Sequence, residues 1–79
     1  MIAINPKQIR AARVLLDMHQ KKLAEKAGLS LYEIQKIEKH GAARSTGQKV
    51  QRVVDVLSAL GVEFIPPDRK RGFGVRRSY

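Results

Sequence analysis

Apolar residues recur at helical spacing in four blocks along the chain, and after the fourth the period changes. In the first block Ile9, Ala12 and Leu16 stand at i, i+3 and i+7, one face of a helix. Asn5-Pro6 precedes them, with Gln8 three residues beyond the asparagine, which reads as N-cap, N1 and N3. The spacing predicts a helix from Pro6 to about Leu16 or Asp17. Leu23, Ala24 and Ala27 make a second stripe about two turns long, and Gly28 follows as a left-handed stop. Ser30 with Glu33 three residues on is a capping box, opening a third helix that turns Ile34 and Ile37 inward and ends at Gly41. The fourth stripe is Val50, Val53, Val54, Leu57 and Leu60, closed by Gly61. Its valines are β-branched and lower the intrinsic helix propensity, but the pattern outweighs propensity. Ser45 and Gln48 repeat the capping-box spacing and predict that this helix begins at Ser45.

Beyond Gly61 the apolar positions alternate. Val62 and Phe64 flank Glu63, Pro66-Pro67-Asp68 breaks the run, and Phe73 and Val75 flank Gly74. Two short strands around a Pro/Gly loop predict a hairpin. Met1 to Ile4 is a short apolar start, either disordered or a strand in search of an edge. The expected fold is therefore mainly α: a small four-helix bundle with a C-terminal β-hairpin or strand pair. Residues 1–61 form the helical domain and residues 62–79 a C-terminal segment of the same unit.

Together Gln20, Leu23, Ala24, Ala27, Gly28, Leu29, Ser30, Ile34, Ile37, Glu38 and Gly41 occupy the pattern Q-x-x-L-A-x-x-A-G-[LV]-S-x-x-x-I-x-x-I-E-x-x-G. This resembles the Cro/repressor-type helix-turn-helix regulators, also called xenobiotic-response-element-like. QIRAARVLL before it is similar to that family's first helix, so the likeness covers roughly the first 60 residues. The resemblance implies a lambda-repressor-like DNA-binding domain in a bacterial or phage-encoded regulator, nucleoid-associated in the cytoplasm. It implies an ion pair between Arg13 and Glu38, and contacts to phosphate and bases at Gln20, Leu31, Tyr32 and Lys36. His19 stands where the family usually has Ser or Thr, which implies a weaker cap. The two strands replace a fifth helix found in several phage repressors.

Charge sharpens the picture. Sixteen Lys and Arg against seven Asp and Glu leave a net +9 on 79 residues, an excess that points to a polyanionic partner. There is no cysteine, so no disulfide and no thiolate metal site, and His19 and His40 lack a third ligand. No cofactor is expected. No apolar run approaches the ~18 residues of a membrane span, and the start has no signal-peptide core. Neither a P-loop nor G-x-G-x-x-G nor a cysteine nucleophile is present, and the serines are better explained as caps, so no enzyme is expected.

For double-stranded DNA the parts suit. The N-terminal half of the third helix would present Leu31, Tyr32, Gln35 and Lys36 to base edges. Lysine donates to guanine, glutamine pairs with adenine, and Leu31 or Tyr32 touches a thymine methyl, although Leu31 packing on the second helix is an equal reading. Ser30 opens that helix, and Gln20 begins the one before, whose N-terminus suits a phosphate. Lys21, Lys22, Lys39, Arg44 and Lys49 are backbone-contact candidates. The expected function is a sequence-specific transcriptional regulator, a repressor on a palindromic operator, binding as a homodimer. The alternative is an antitoxin-like or accessory module whose C-terminal segment grips a protein partner, a toxin or another regulator; an RNA-binding role ranks third. Val62, Phe64, Ile65, Phe73 and Val75 are expected to build the dimer interface, through strands near Val62–Ile65 and Phe73–Arg76. The plainer reading packs them on their own chain's fourth helix.

Overall fold

A computed structural model describes residues 4–78. Of the apolar start, only Ile4 lies among them; it packs partly buried against the core. The first helix, α1, spans Pro6–Leu15. Asn5 Oδ1 accepts from the Lys7 amide at 2.8 Å, and Gln8 Oε1 reaches back to the Asn5 amide at 2.9 Å. The helix ends a turn-fraction earlier than expected, with Leu16 as C-cap and Asp17 at φ 51°, a left-handed geometry that aspartate tolerates better than most residues.

The second helix, α2, spans Gln20–Ala27 and buries Leu23, Ala24 and Ala27. Gly28 adopts φ 68°, ψ 35°, and the Leu29 amide donates back to the Ala24 carbonyl at 2.9 Å, satisfying the helix end. The third, α3, spans Leu31–His40, so His40 closes it rather than following it. Its capping box is formed: Ser30 Oγ accepts from the Glu33 amide and Glu33 Oε1 accepts from the Ser30 amide, both at 3.1 Å. Only the three residues 28–30 separate α2 from α3. Gly41 then turns at φ 60°, with any added Cβ 2.7 Å from Pro6 Cγ, so glycine lets α1 start against the end of α3.

A 3-10 turn, Gly41–Ala43, leads to α4, Gly47–Ala59. The expected start at Ser45 is corrected: Thr46 is the N-cap, its Oγ1 accepting from the Lys49 amide at 3.2 Å. Ser45 Oγ is instead tucked in, with no hydrogen-bond partner among the described residues. Two hydroxyl residues in a row compete for one cap, and the turn before them hands it to the second.

Two strands follow, β1 Val62–Ile65 and β2 Gly74–Arg77, paired antiparallel with Val62 opposite Arg77 and Ile65 opposite Gly74. The protein is thus mainly helical with a small two-stranded sheet. The second strand begins one residue later than expected, leaving Phe73 before it and exposed. Val62 is a second correction: it is buried in its own chain's core, so it cannot face a second copy. Phe64 and Val75 also pack partly against that core. The hairpin lies over α1 through β2 and over α4 through β1.

The core is aliphatic: Ile9, Leu23, Ile34, Ile37, Val53 and Leu57 are fully buried and come from all four helices. Each such side chain contributes roughly 1.5–3 kcal/mol by leaving water. Gln8 joins them unexpectedly. Its Nε2 donates to the carbonyls of Gly74 at 2.8 Å and Ile65 at 3.1 Å, pinning the loop end of the hairpin to α1.

Candidate functional site

The capping box and the inward Ile34 and Ile37 fix the rotation of α3, and that rotation decides which side chains reach solvent. Leu31, Tyr32, Gln35 and Lys39 are exposed, and Lys36 is half-buried. Among the described residues Tyr32 is the most open of the large hydrophobic side chains, at 69%. Lys36 Nζ stands 5.4 Å from the centroid of the Tyr32 ring, one turn away. An aliphatic group, an aromatic ring, an amide and an ammonium thus share one projecting surface. That set can stack, donate and accept at once.

Beneath it lies a polar cluster. Arg13 Nε donates to Glu38 Oε2 at 2.8 Å and Arg13 Nη2 to Glu38 Oε1 at 3.1 Å, a two-pronged ion pair. Arg13 Nη1 also donates to the Met18 carbonyl at 2.9 Å. The side chains are 13% and 4% exposed, so the pair is internal and ties α1 to α3. Gln20 turns inward to it: its Nε2 donates to Glu38 Oε1 at 3.2 Å. The side chain expected at a phosphate is therefore engaged in holding the glutamate. What α2 offers outward is its first-turn backbone, since His19 makes no side-chain cap.

A shallow depression gathers Arg10, Gln20, Gln35, Glu38 and Lys39 from three helices. Arg10 was missed in the sequence; the signal was its place three residues before Arg13, at the exposed edge of the α1 stripe. Lys21, Lys22 and Arg44 are exposed, the last beside the turn after α3. Lys49 is placed differently from expectation. Its ammonium pairs with Glu33, clamping the start of α4 to the start of α3. That contact, with the Ser30 amide second, lowers the Glu33 carboxyl from its ordinary 4.5 to about 2. Ser30 is likewise occupied as the cap, although its hydroxyl proton remains to be given.

Val62, Phe64, Ile65, Phe73 and Val75 are not brought to this face; they belong to the hairpin and its helix contacts. Among the described residues no cluster of His, Asp and Glu is arranged to hold a metal ion, and no helix is long and apolar enough to cross a membrane. No protein-family model matches the chain, and no curated protein matches it either.

Proposed function

We propose that this chain is a sequence-specific DNA-binding regulator of the Cro/repressor helix-turn-helix type, a repressor that binds a palindromic operator as a homodimer. One observation carries the reading. α3, set by its capping box three residues after α2, holds Leu31, Tyr32, Gln35 and Lys36 outward on a chain of net charge +9. A helix so exposed fits the major groove, and a basic surface around it neutralises phosphates. Lys36, steadied over Tyr32, donates to guanine O6 or N7; Gln35 pairs with adenine; Leu31 and Tyr32 meet thymine methyls. Lys21, Lys39, Arg44 and Arg10 face the backbone. Arg13, Glu38 and Gln20 set the angle between the helices and touch no base.

Selection from a random duplex pool tests this. A recurring palindrome with half-sites about one helical turn apart is expected. Lys36→Ala should relax preference at one position of each half-site at a cost of ~1–3 kcal/mol, whereas Lys21→Ala should weaken all sequences alike. If both variants lose affinity uniformly, α3 is not the reading surface.

A further inference from the structure

We infer that the hairpin tip, with Arg69, Lys70 and Arg71, is a second DNA contact that holds phosphates beyond those the α3 face covers and reads no base. The inference rests on the proposal that α3 binds duplex DNA and adds a grip from another element. The tip is an ordered turn. Asp68 Oδ1 accepts from the Lys70 amide at 2.9 Å and the Arg71 amide at 2.8 Å. The Asp68 amide in turn donates to the Arg71 carbonyl at 2.8 Å. Pro66 and Pro67, whose rings fix φ, stiffen the chain leading into it. The turn thus holds three exposed cations in succession. Among the described residues none of them has an acid partner, whereas Arg76 of the following strand is paired with Glu63.

Its place in the fold joins the tip to the α3 face. Gln8 bonds the carbonyls of Ile65 and Gly74, which sets the base of the loop on the first turn of α1. That turn abuts the end of α3, where Gly41 meets Pro6. From there a run of shallow depressions leads back along α1. Lys7 shares one with Phe73 and Gly74, Lys7 and Arg10 share the next, and Arg10 meets Gln35 and Lys39 in a third. Glu38 is the one carboxylate lining them among the described residues, and Arg13 neutralises it. A basic route therefore connects the tip to the helix proposed to enter the groove.

The phosphate backbone is the occupant this chemistry fits. A turn that served solubility alone would gain nothing by fixing like charges side by side, where each repels the next; a row of phosphates turns that repulsion into attraction. The guanidinium forks of Arg69 and Arg71 match phosphate oxygens, and such contacts position a protein without carrying sequence information. The chain is 36 Å in its longest dimension, about one turn of duplex at ~34 Å, so the tip and the α3 face can rest on one DNA molecule.

Two charge-matched double variants separate a placed contact from net charge. One carries Arg69→Gln with Arg71→Gln; the other carries Lys26→Gln with Arg52→Gln, an exposed pair off the route at the Gly28 end of α2. Fluorescence anisotropy measures their affinity for a selected and a scrambled duplex from ~50 to ~200 mM salt. The tip variant should lower the log–log slope by about 1.8 per bound chain, two counterions at about 0.9 each, so its deficit shrinks about 12-fold across that range. The deficit should be the same on both duplexes, and the Lys26/Arg52 variant should keep the wild-type slope. Phosphate-ethylation interference on the selected duplex should lose a discrete group of positions with the tip variant while the rest remain. Circular dichroism and melting temperature should not change, since among the described residues neither tip arginine bonds through its side chain. A wild-type slope in the tip variant overturns the inference, and so does an equal fall in both variants. If the wild type binds the two duplexes alike, base reading by α3 fails, and the slope of the tip variant still decides for or against the tip. A wild type that binds neither duplex overturns both.

Discussion

Glu38→Ala removes the acceptor that α1, α2 and α3 share. Arg13 loses both prongs of the pair and keeps only the Met18 carbonyl, while Gln20 loses its acceptor. Hydrogen bonds to charged groups contribute roughly 1.5–3 kcal/mol each, and stranding the partner of a buried pair typically costs ~3–5 kcal/mol. With Arg13 only 13% exposed, the stranded guanidinium has little water to turn to, so a loss of about 3–4 kcal/mol is expected. Arg13→Ala leaves Glu38 with Gln20 alone and should cost a similar amount. A chain of 79 residues has on the order of 4–12 kcal/mol of stability in all. Either variant should therefore melt ~12–25 °C below the wild type. The double variant strands no charge and should be close to either single one, giving a coupling energy of about 3 kcal/mol. Urea unfolding followed by circular dichroism at neutral pH, on the wild type and three variants, measures it. A coupling energy within ~0.5 kcal/mol of zero would mean that the pair does not hold the helices together and the reasoning fails.

Two other perturbations follow from single contacts. Gln8→Ala should cost ~1–3 kcal/mol, because two hydrogen bonds to the hairpin and one to the Asn5 amide go together; amide exchange near Gly74 should accelerate. An unchanged exchange rate there would show that the hairpin stands without α1. The Glu33–Lys49 contact makes stability pH-dependent in acid: with the folded carboxyl held at about 2 against an ordinary 4.5, its contribution is complete above about 4.5 and fades as pH falls toward 2. Lys49→Ala should flatten that part of the pH–stability curve, and a curve identical to wild type would refute the link.

The elements that local chemistry specifies were legible in the sequence. Asn5-Pro6, Gly28 and the Ser30–Glu33 box each satisfy backbone groups within four residues, so reading them needs no tertiary knowledge. The apolar stripes likewise named most of the core. What escaped depends on contacts across the chain. Gln8 reads as a helix-start residue, and nothing local says that its other amide end reaches 57 and 66 residues onward. Lys49 looks like any exposed lysine until α4 is laid beside Glu33. The alternation of Val62 and Phe64 shows that one sheet face is apolar but not whose core it covers; the chain's own helices took Val62. Ser45 and Thr46 are adjacent, and a spacing rule cannot choose between neighbours. Gln20 was expected outward because motif register places a residue on an element without fixing its rotamer.

The central claim is that the outward face of α3 reads DNA while the basic surface around it holds phosphates. Its most direct measurement is the affinity of the wild-type chain for a selected duplex and a scrambled one, across a series of salt concentrations. The account predicts that both affinities fall steeply with salt, with log–log slopes reflecting several released counterions, and that the selected duplex stays tighter at every concentration. A slope near zero, or equal affinity for the two duplexes throughout, would contradict it.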